Sequence, residues 1–151
     1  MRFYAQKFGA DKDQWGIAGM LHDADRQKYP QEHPKIIIAD LEKRGTDAEI
    51  IHAISAHGNN FGVERKSQLD HALFACDEIT GMVTATALVR PEKLNGLEAK
   101  SVKKKMKDKS FAAGVNRDDV IQGAAELGIS LDEHIQNVIV AMQAVKDEIG
   151  L

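Results

Sequence analysis

Apolar residues recur along this chain at intervals of three and four, the period of a helix face turned to a core. The plainest case is the C-terminal run, where Leu131, Ile135, Val138, Ile139, Met142 and Val145 are apolar. Ser130 and Glu133 stand before it as a capping box, in which each side chain accepts the other's backbone N–H. The same reading extends upstream. Arg2–Phe8 forms a short helix stopped by Gly9, a residue that takes the left-handed cap without steric cost. Asp13 is expected to cap a helix over 14–23, with Trp15, Ile17, Ala18 and Leu21 turned inward. Pro30 and Pro34 disfavour helix in the residues before them and mark 26–34 as a loop. A third helix spans Lys35–Lys43 before Gly45, and Thr46 with Glu49 opens a fourth that ends near His57 and Gly58. Ser67 with Asp70 opens a long fifth helix to about Val89, closed by Pro91. Asn116 caps another that ends near Leu127 and Gly128. No stretch alternates apolar and polar residues over the length of a strand. The pattern predicts an all-α protein: a compact helical core over 1–90, and a C-terminal helical extension over 91–151 packed on the same domain.

Composition narrows the function classes. The chain has 151 residues, of which 43% are hydrophobic and 28% charged, enough apolar material for a folded core. Its 20 basic and 23 acidic residues leave a net charge of −3, which argues against a generally basic nucleic-acid binder. A single cysteine, Cys76, excludes an internal disulfide and fits a reducing, cytoplasmic location. The longest apolar runs, such as Val138 to Met142, fall far short of the ~20 residues that span a bilayer, so no membrane partner is expected. The N-terminus is helical and charged rather than a signal peptide. It starts without a capping residue, so this helix is expected to continue one upstream of the chain.

The polar residues with chemical potential are few. His22-Asp23 closes the apolar segment Trp15-Gly-Ile-Ala-Gly-Met-Leu21. A neutral imidazole and a carboxylate are good ligands for divalent metals. Neighbours on a helix diverge by about 100°, so both reach one ion only if it lies off the edge of their shared face. Asp77 lies mid-helix in Leu73-Phe-Ala-Cys-Asp-Glu-Ile79. A carboxylate there calls for a basic partner, a cation, or exposure to solvent. His33 before Pro34 and His57 before Gly58 are placed to face the same pocket as His22, or to serve as surface or capping histidines. His52, His71 and His134 are read as structural or solvated, Cys76 as a buried thiol, and Glu78 as solvated. The stretch Lys100-Ser-Val-Lys-Lys-Lys-Met-Lys-Asp-Lys109 either forms a solvated helix face or holds a substrate phosphate through Lys104, with Arg90 and Arg117. No aromatics interleave with it for base stacking.

In order, these residues are His22-Asp23, His33, His57 and Asp77, within Gly19-Met-Leu-His-Asp23, Glu32-His-Pro34, Ile54-Ser-Ala-His57 and Ala75-Cys-Asp-Glu-Ile-Thr-Gly81. The set resembles the HD-domain superfamily of metal-dependent phosphohydrolases. The likeness extends over nearly the whole chain, through Thr84-Ala-Thr-Ala-Leu-Val-Arg-Pro91 and the segment 101–117. It implies an HD-like helical bundle in which His22, Asp23 and Asp77 hold a divalent ion (Mn, Fe, Co, Ni, Mg or Zn). His33 and His57 match the family's auxiliary histidines, and Asp23, His33 and His57 would be the catalytic groups. Asp23 would orient the attacking water, and His57 or His33 would protonate the leaving group. The implied reaction is hydrolysis of a phosphate ester on a small phosphorylated metabolite or nucleotide. The family's first histidine has no counterpart here, because no histidine precedes His22. That departure defines an alternative, a catalytically impaired HD-fold module acting by ligand binding or oligomerisation, for which a homodimer is expected. A third reading is a nucleotide sensor using the lysine-rich tail.

Overall fold

The computed structural model describes residues 1–151. It contains nine α-helices, one 3-10 turn and no strand. The helices are α1 (Arg2–Phe8), α2 (Lys12–Leu21), α3 (Lys35–Lys43), α4 (Ala48–Ala56), α5 (Gln68–Leu88), α6 (Ala99–Met106), α7 (Arg117–Glu126), α8 (Leu131–Gln143) and α9 (Lys146–Ile149). The 3-10 turn, Asn59–Phe61, follows α4. The all-α class expected from the periodicity is the one found.

The chain divides into two compact units, Met1–Phe74 and Ala75–Leu151. The boundary falls inside α5, upstream of the 90/91 division that Pro91 indicates. A proline marks where a helix stops, and contacts can part company within one.

In the first unit, α1 ends at Gly9 with φ 69°, the left-handed cap. The chain turns so soon after it that Asp11, not Asp13, caps α2: its side chain accepts from the N–H groups of Asp13 and Gln14. Asp13 instead pairs with Arg2 at 3.2 Å. On α2, Gly16 and Gly19 let α1 approach closely, since a Cβ at Gly19 would lie 2.4 Å from Met1 Cγ. Trp15 and Ala18 are buried as expected, but Ile17 faces outward at 40% exposure. The cap of α4 is Asp47 rather than Thr46. Thr46 has another use: its N–H closes on Leu41 O while that of Gly45 closes on Glu42 O, the Schellman ending of α3. Ser67 and Asp70 do form the expected reciprocal box at the start of α5. Tyr4, Ile50, Ile54, Leu69 and Leu73 are buried in this unit.

In the second unit, Asn116 caps α7 and Ser130 caps α8, both as predicted. Ile135, Val138, Ile139 and Met142 are buried. Helix α8 stops at Gln143, so Val145 lies beyond it and is 38% exposed. Gly123 of α7 meets the backbone of α5, where an added Cβ would stand 2.6 Å from Ala75 Cα.

Candidate metal centre

The candidate site lies in the first unit and is built from helix ends. Helix α2 stops at Leu21, and His22 is its C-cap. Asp23 follows in a run of turns that leads to His33, two residues before α3. His57 is the C-cap of α4. A side chain at a helix end clears the helix's own turns, and three such ends deliver their polar groups to one place.

Asp23 Oδ1 lies 3.2 Å from His33 Nε2 and 3.8 Å from His57 Nε2. The two Nε2 atoms are 3.3 Å apart. His22 Nε2 stands 3.8 Å from Asp23 Oδ2, and the His22 and His57 rings meet edge to face with centroids 5.1 Å apart. Asp23, His33 and His57 therefore offer three ligand atoms within 4.8 Å of one another. The site is sheltered: His57 is 3% exposed, and the His33 side chain 6%. Phe61, on the 3-10 turn, places its ring 4.9 Å from His57 and 5.4 Å from His33. Gly58 permits this, because a Cβ there would lie 2.6 Å from the Phe61 ring.

The second ring nitrogens decide the chemistry. His22 Nδ1 donates to Gly19 O at 2.9 Å, and His57 Nδ1 donates to Ile54 O at 2.5 Å. A carbonyl only accepts, so each of these nitrogens carries a hydrogen. His33 Nδ1 lies 2.6 Å from Asp25 Oδ1 and donates to that carboxylate. In the neutral imidazoles every Nε2 is then a lone-pair donor. Two of these lone pairs face each other and a carboxylate oxygen, and only a proton or a metal ion relieves that meeting of acceptors. Metal-ligating histidines are held in the same way, with the far nitrogen bonded to a carbonyl or carboxylate. The residues present fit a divalent ion.

The carboxylates are held ionised. Burial alone would raise the Asp23 pKa, but neighbouring His57 and the charges of His22, Arg26 and His33 outweigh it and pull the value down to about 2. Asp25 is likewise lowered: burial opposes, while hydrogen bonds from His33 and the Ile37 N–H win. Arg26 pairs with Asp23 at 3.2 Å and keeps its side chain 58% exposed.

Asp77 is on α5, half-buried, in the second unit. Arg90 donates to Lys93 O and Asn95 O and so ties the turn after α5. Arg117 is committed to its own loop, donating to the carbonyls of Asp108, Phe111, Ala112 and Val115. Lys104 is exposed on α6. Its neighbours are engaged: Lys100 with Glu98, Lys103 with Asp132, and Lys105 over the Phe111 ring. Glu78 accepts the Asn116 N–H, a structural use rather than simple solvation. His52 donates to Asp70, and His134 hydrogen-bonds Ala75 O. Cys76 is buried, and burial raises its thiol pKa.

Sequence reading did not find Asp25, Arg26 or Phe61. Asp25 looks like any acid in a polar loop, yet it is 5% exposed. Its nearness to Asp23 is the one available signal, and burial of a loop residue leaves no periodic trace. No family model, curated protein or solved structure matches this chain. No helix is long and apolar enough to cross a membrane.

Proposed function

We propose that the first unit binds a divalent metal ion through Asp23, His33 and His57, with His22 beside them, and that the protein is a metal-dependent phosphohydrolase. The supporting observation is the 3.3 Å approach of the His33 and His57 Nε2 atoms beside an ionised Asp23. With both Nδ1 hydrogens committed, these histidines serve better as ligands than as proton donors through Nε2. Imidazoles with one carboxylate favour Mn, Fe, Co, Ni or Zn over Mg. The bound ion would polarise a phosphoryl oxygen and acidify the attacking water.

The HD resemblance supplies the reaction class, a phosphate ester of a small metabolite or nucleotide, and adds Asp77 as a ligand by its sequence motif. Arg26 is a basic side chain beside the site, paired with Asp23. Its exposed guanidinium would take a substrate phosphate once the metal holds Asp23. Phe61 would keep bulk water from His33 and His57. Arg26→Ala should then raise KM several-fold with a smaller change in kcat.

Elemental mass spectrometry of the purified protein tests the metal reading. About one equivalent of a transition metal is expected, lost in His57→Ala and in Asp77→Ala. Retention in Asp77→Ala alone would remove Asp77 from the ligand set. Phosphate release from a panel of sugar phosphates and nucleotides then tests the activity. A metal-loaded protein with no turnover would favour the binding-module alternative. No metal after soaking with manganese or nickel would overturn the metal reading itself.

A further inference from the structure

We propose that Asp25 is a positioning residue of this centre: its carboxylate fixes the His33 tautomer and so presents the His33 Nε2 lone pair to the ion, while the same group caps helix α3. The metal half of this statement rests on the reading above.

Asp25 uses its two oxygens on two different donors. Oδ1 lies 2.6 Å from His33 Nδ1, and Oδ2 accepts the Ile37 N–H at 3.0 Å. Ile37 is the third residue of α3, where backbone N–H groups have no acceptor within the helix. Pro34 occupies the N-cap position and gives no side-chain cap. Asp25 supplies the missing acceptor from 12 residues upstream. One buried carboxylate therefore ties the start of α3 to the orientation of a ring two residues before it. A donor at Nδ1 leaves Nε2 as the lone-pair nitrogen, the atom 3.2 Å from Asp23 and 3.3 Å from His57 Nε2. His22 and His57 reach the same tautomer through carbonyls within their own helix ends. His33 has no such carbonyl partner and depends on a side chain.

Asparagine separates the two uses, because its amide has one acceptor where the carboxylate has two. If the amide oxygen keeps the Ile37 N–H, the NH2 faces His33 Nδ1 and drives the ring hydrogen to Nε2. If the oxygen keeps His33, the NH2 opposes the Ile37 N–H and the cap is lost. The first arrangement blocks a metal ligand.

The experiment is long-range proton–nitrogen NMR of the imidazoles in metal-free protein, with His33 assigned by comparison with His33→Gln, followed by calorimetric titration with nickel. In the wild type His33 should carry its hydrogen on Nδ1. In Asp25→Asn the Nε2–H signature should appear, and nickel should bind 10- to 100-fold more weakly, the usual loss for such an outer partner. Unchanged tautomer with unchanged nickel affinity in both Asp25→Asn and Asp25→Ala, the second of which offers no acceptor to either donor, overturns the proposal, whatever happens to the melting temperature. So does a wild-type His33 whose only ring hydrogen is on Nε2, a result that needs no variant to fold. A wild type that binds no nickel but shows the tautomer change would overturn the metal reading and leave the orienting role supported.

Discussion

Each unit buries a histidine almost completely, and the two are treated in opposite ways. His134, in the second unit, is 0% exposed and donates from Nε2 to Ala75 O at 2.8 Å. Burial lowers its pKa, so it serves as a neutral polar plug between α8 and α5. His57, in the first unit, is 3% exposed and also bonds a carbonyl, but through Nδ1. Its Nε2 is turned toward another imidazole nitrogen and a carboxylate oxygen. Burial alone does not separate a structural histidine from a ligand. The difference lies in whether the second nitrogen meets a complementary atom or another acceptor.

Metal should expose that difference most strongly. A ligand that binds only the folded state stabilises it by about 4 kcal/mol at a thousandfold excess over its Kd. Adding nickel or manganese should raise the melting temperature, chelation should reverse the rise, and His57→Leu should abolish it. Next comes stability without metal. His134→Leu removes the hydrogen bond to the Ala75 carbonyl, which keeps its place in the α5 ladder, and should cost about 0.5–1.5 kcal/mol. His57→Leu should cost less, because it also removes the clash of lone pairs with His33. Chemical denaturation of metal-free protein checks this, and equal losses would mean that the two histidines play the same part in stability.

Much of this plan was legible in the sequence, and the failures have physical causes. The caps at Ser67, Asn116 and Ser130 and the left-handed end at Gly9 were readable because each is a local bargain between a side chain and its own backbone. The caps fall on Asp11 and Asp47, two residues and one from the expected Asp13 and Thr46, since Asp13 pairs with Arg2 and the Thr46 N–H closes the end of α3. The gathering of Asp23, His33 and His57 followed from their order together with a family likeness, not from periodicity. Asp25 was invisible because its partners, His33 and Ile37, are tertiary contacts. Arg90 and Arg117 looked like phosphate ligands because a charge pattern does not reveal that nearby backbone carbonyls already hold them.

Two crowded glycines sharpen the contrast between a closed core and an adaptable site. At Gly123 an added methyl would meet Ala75 Cα, which cannot swing aside, at 2.6 Å. Overpacking of that kind should cost about 2 kcal/mol in Gly123→Ala, read by denaturation. At Gly58 the obstacle is the Phe61 ring, also 2.6 Å away but at the end of a rotating side chain. Gly58→Ala should cost under about 1 kcal/mol. Its larger consequence should be weaker metal binding by several-fold, as the ring is displaced from His33 and His57.

The smallest effect is in pH. His134 binds a proton less readily when folded than the ordinary value of 6.5, because its imidazole is desolvated. The unfolded chain therefore holds more protons just below that value, and protons favour unfolding. The contribution of His134 to stability is fully present above about pH 6.5 and is lost as the pH falls from there toward its lowered folded value. Asp23, Asp25 and Asp70, whose folded values are depressed, add their losses only below the ordinary carboxylate value of 3.8. Denaturation of metal-free protein between pH 7.5 and about 5 should thus show a decline that belongs to the second unit. His134→Leu, although less stable throughout, should flatten that decline. An unchanged slope in the variant would place the titrating group elsewhere and remove the neutral plug from the comparison.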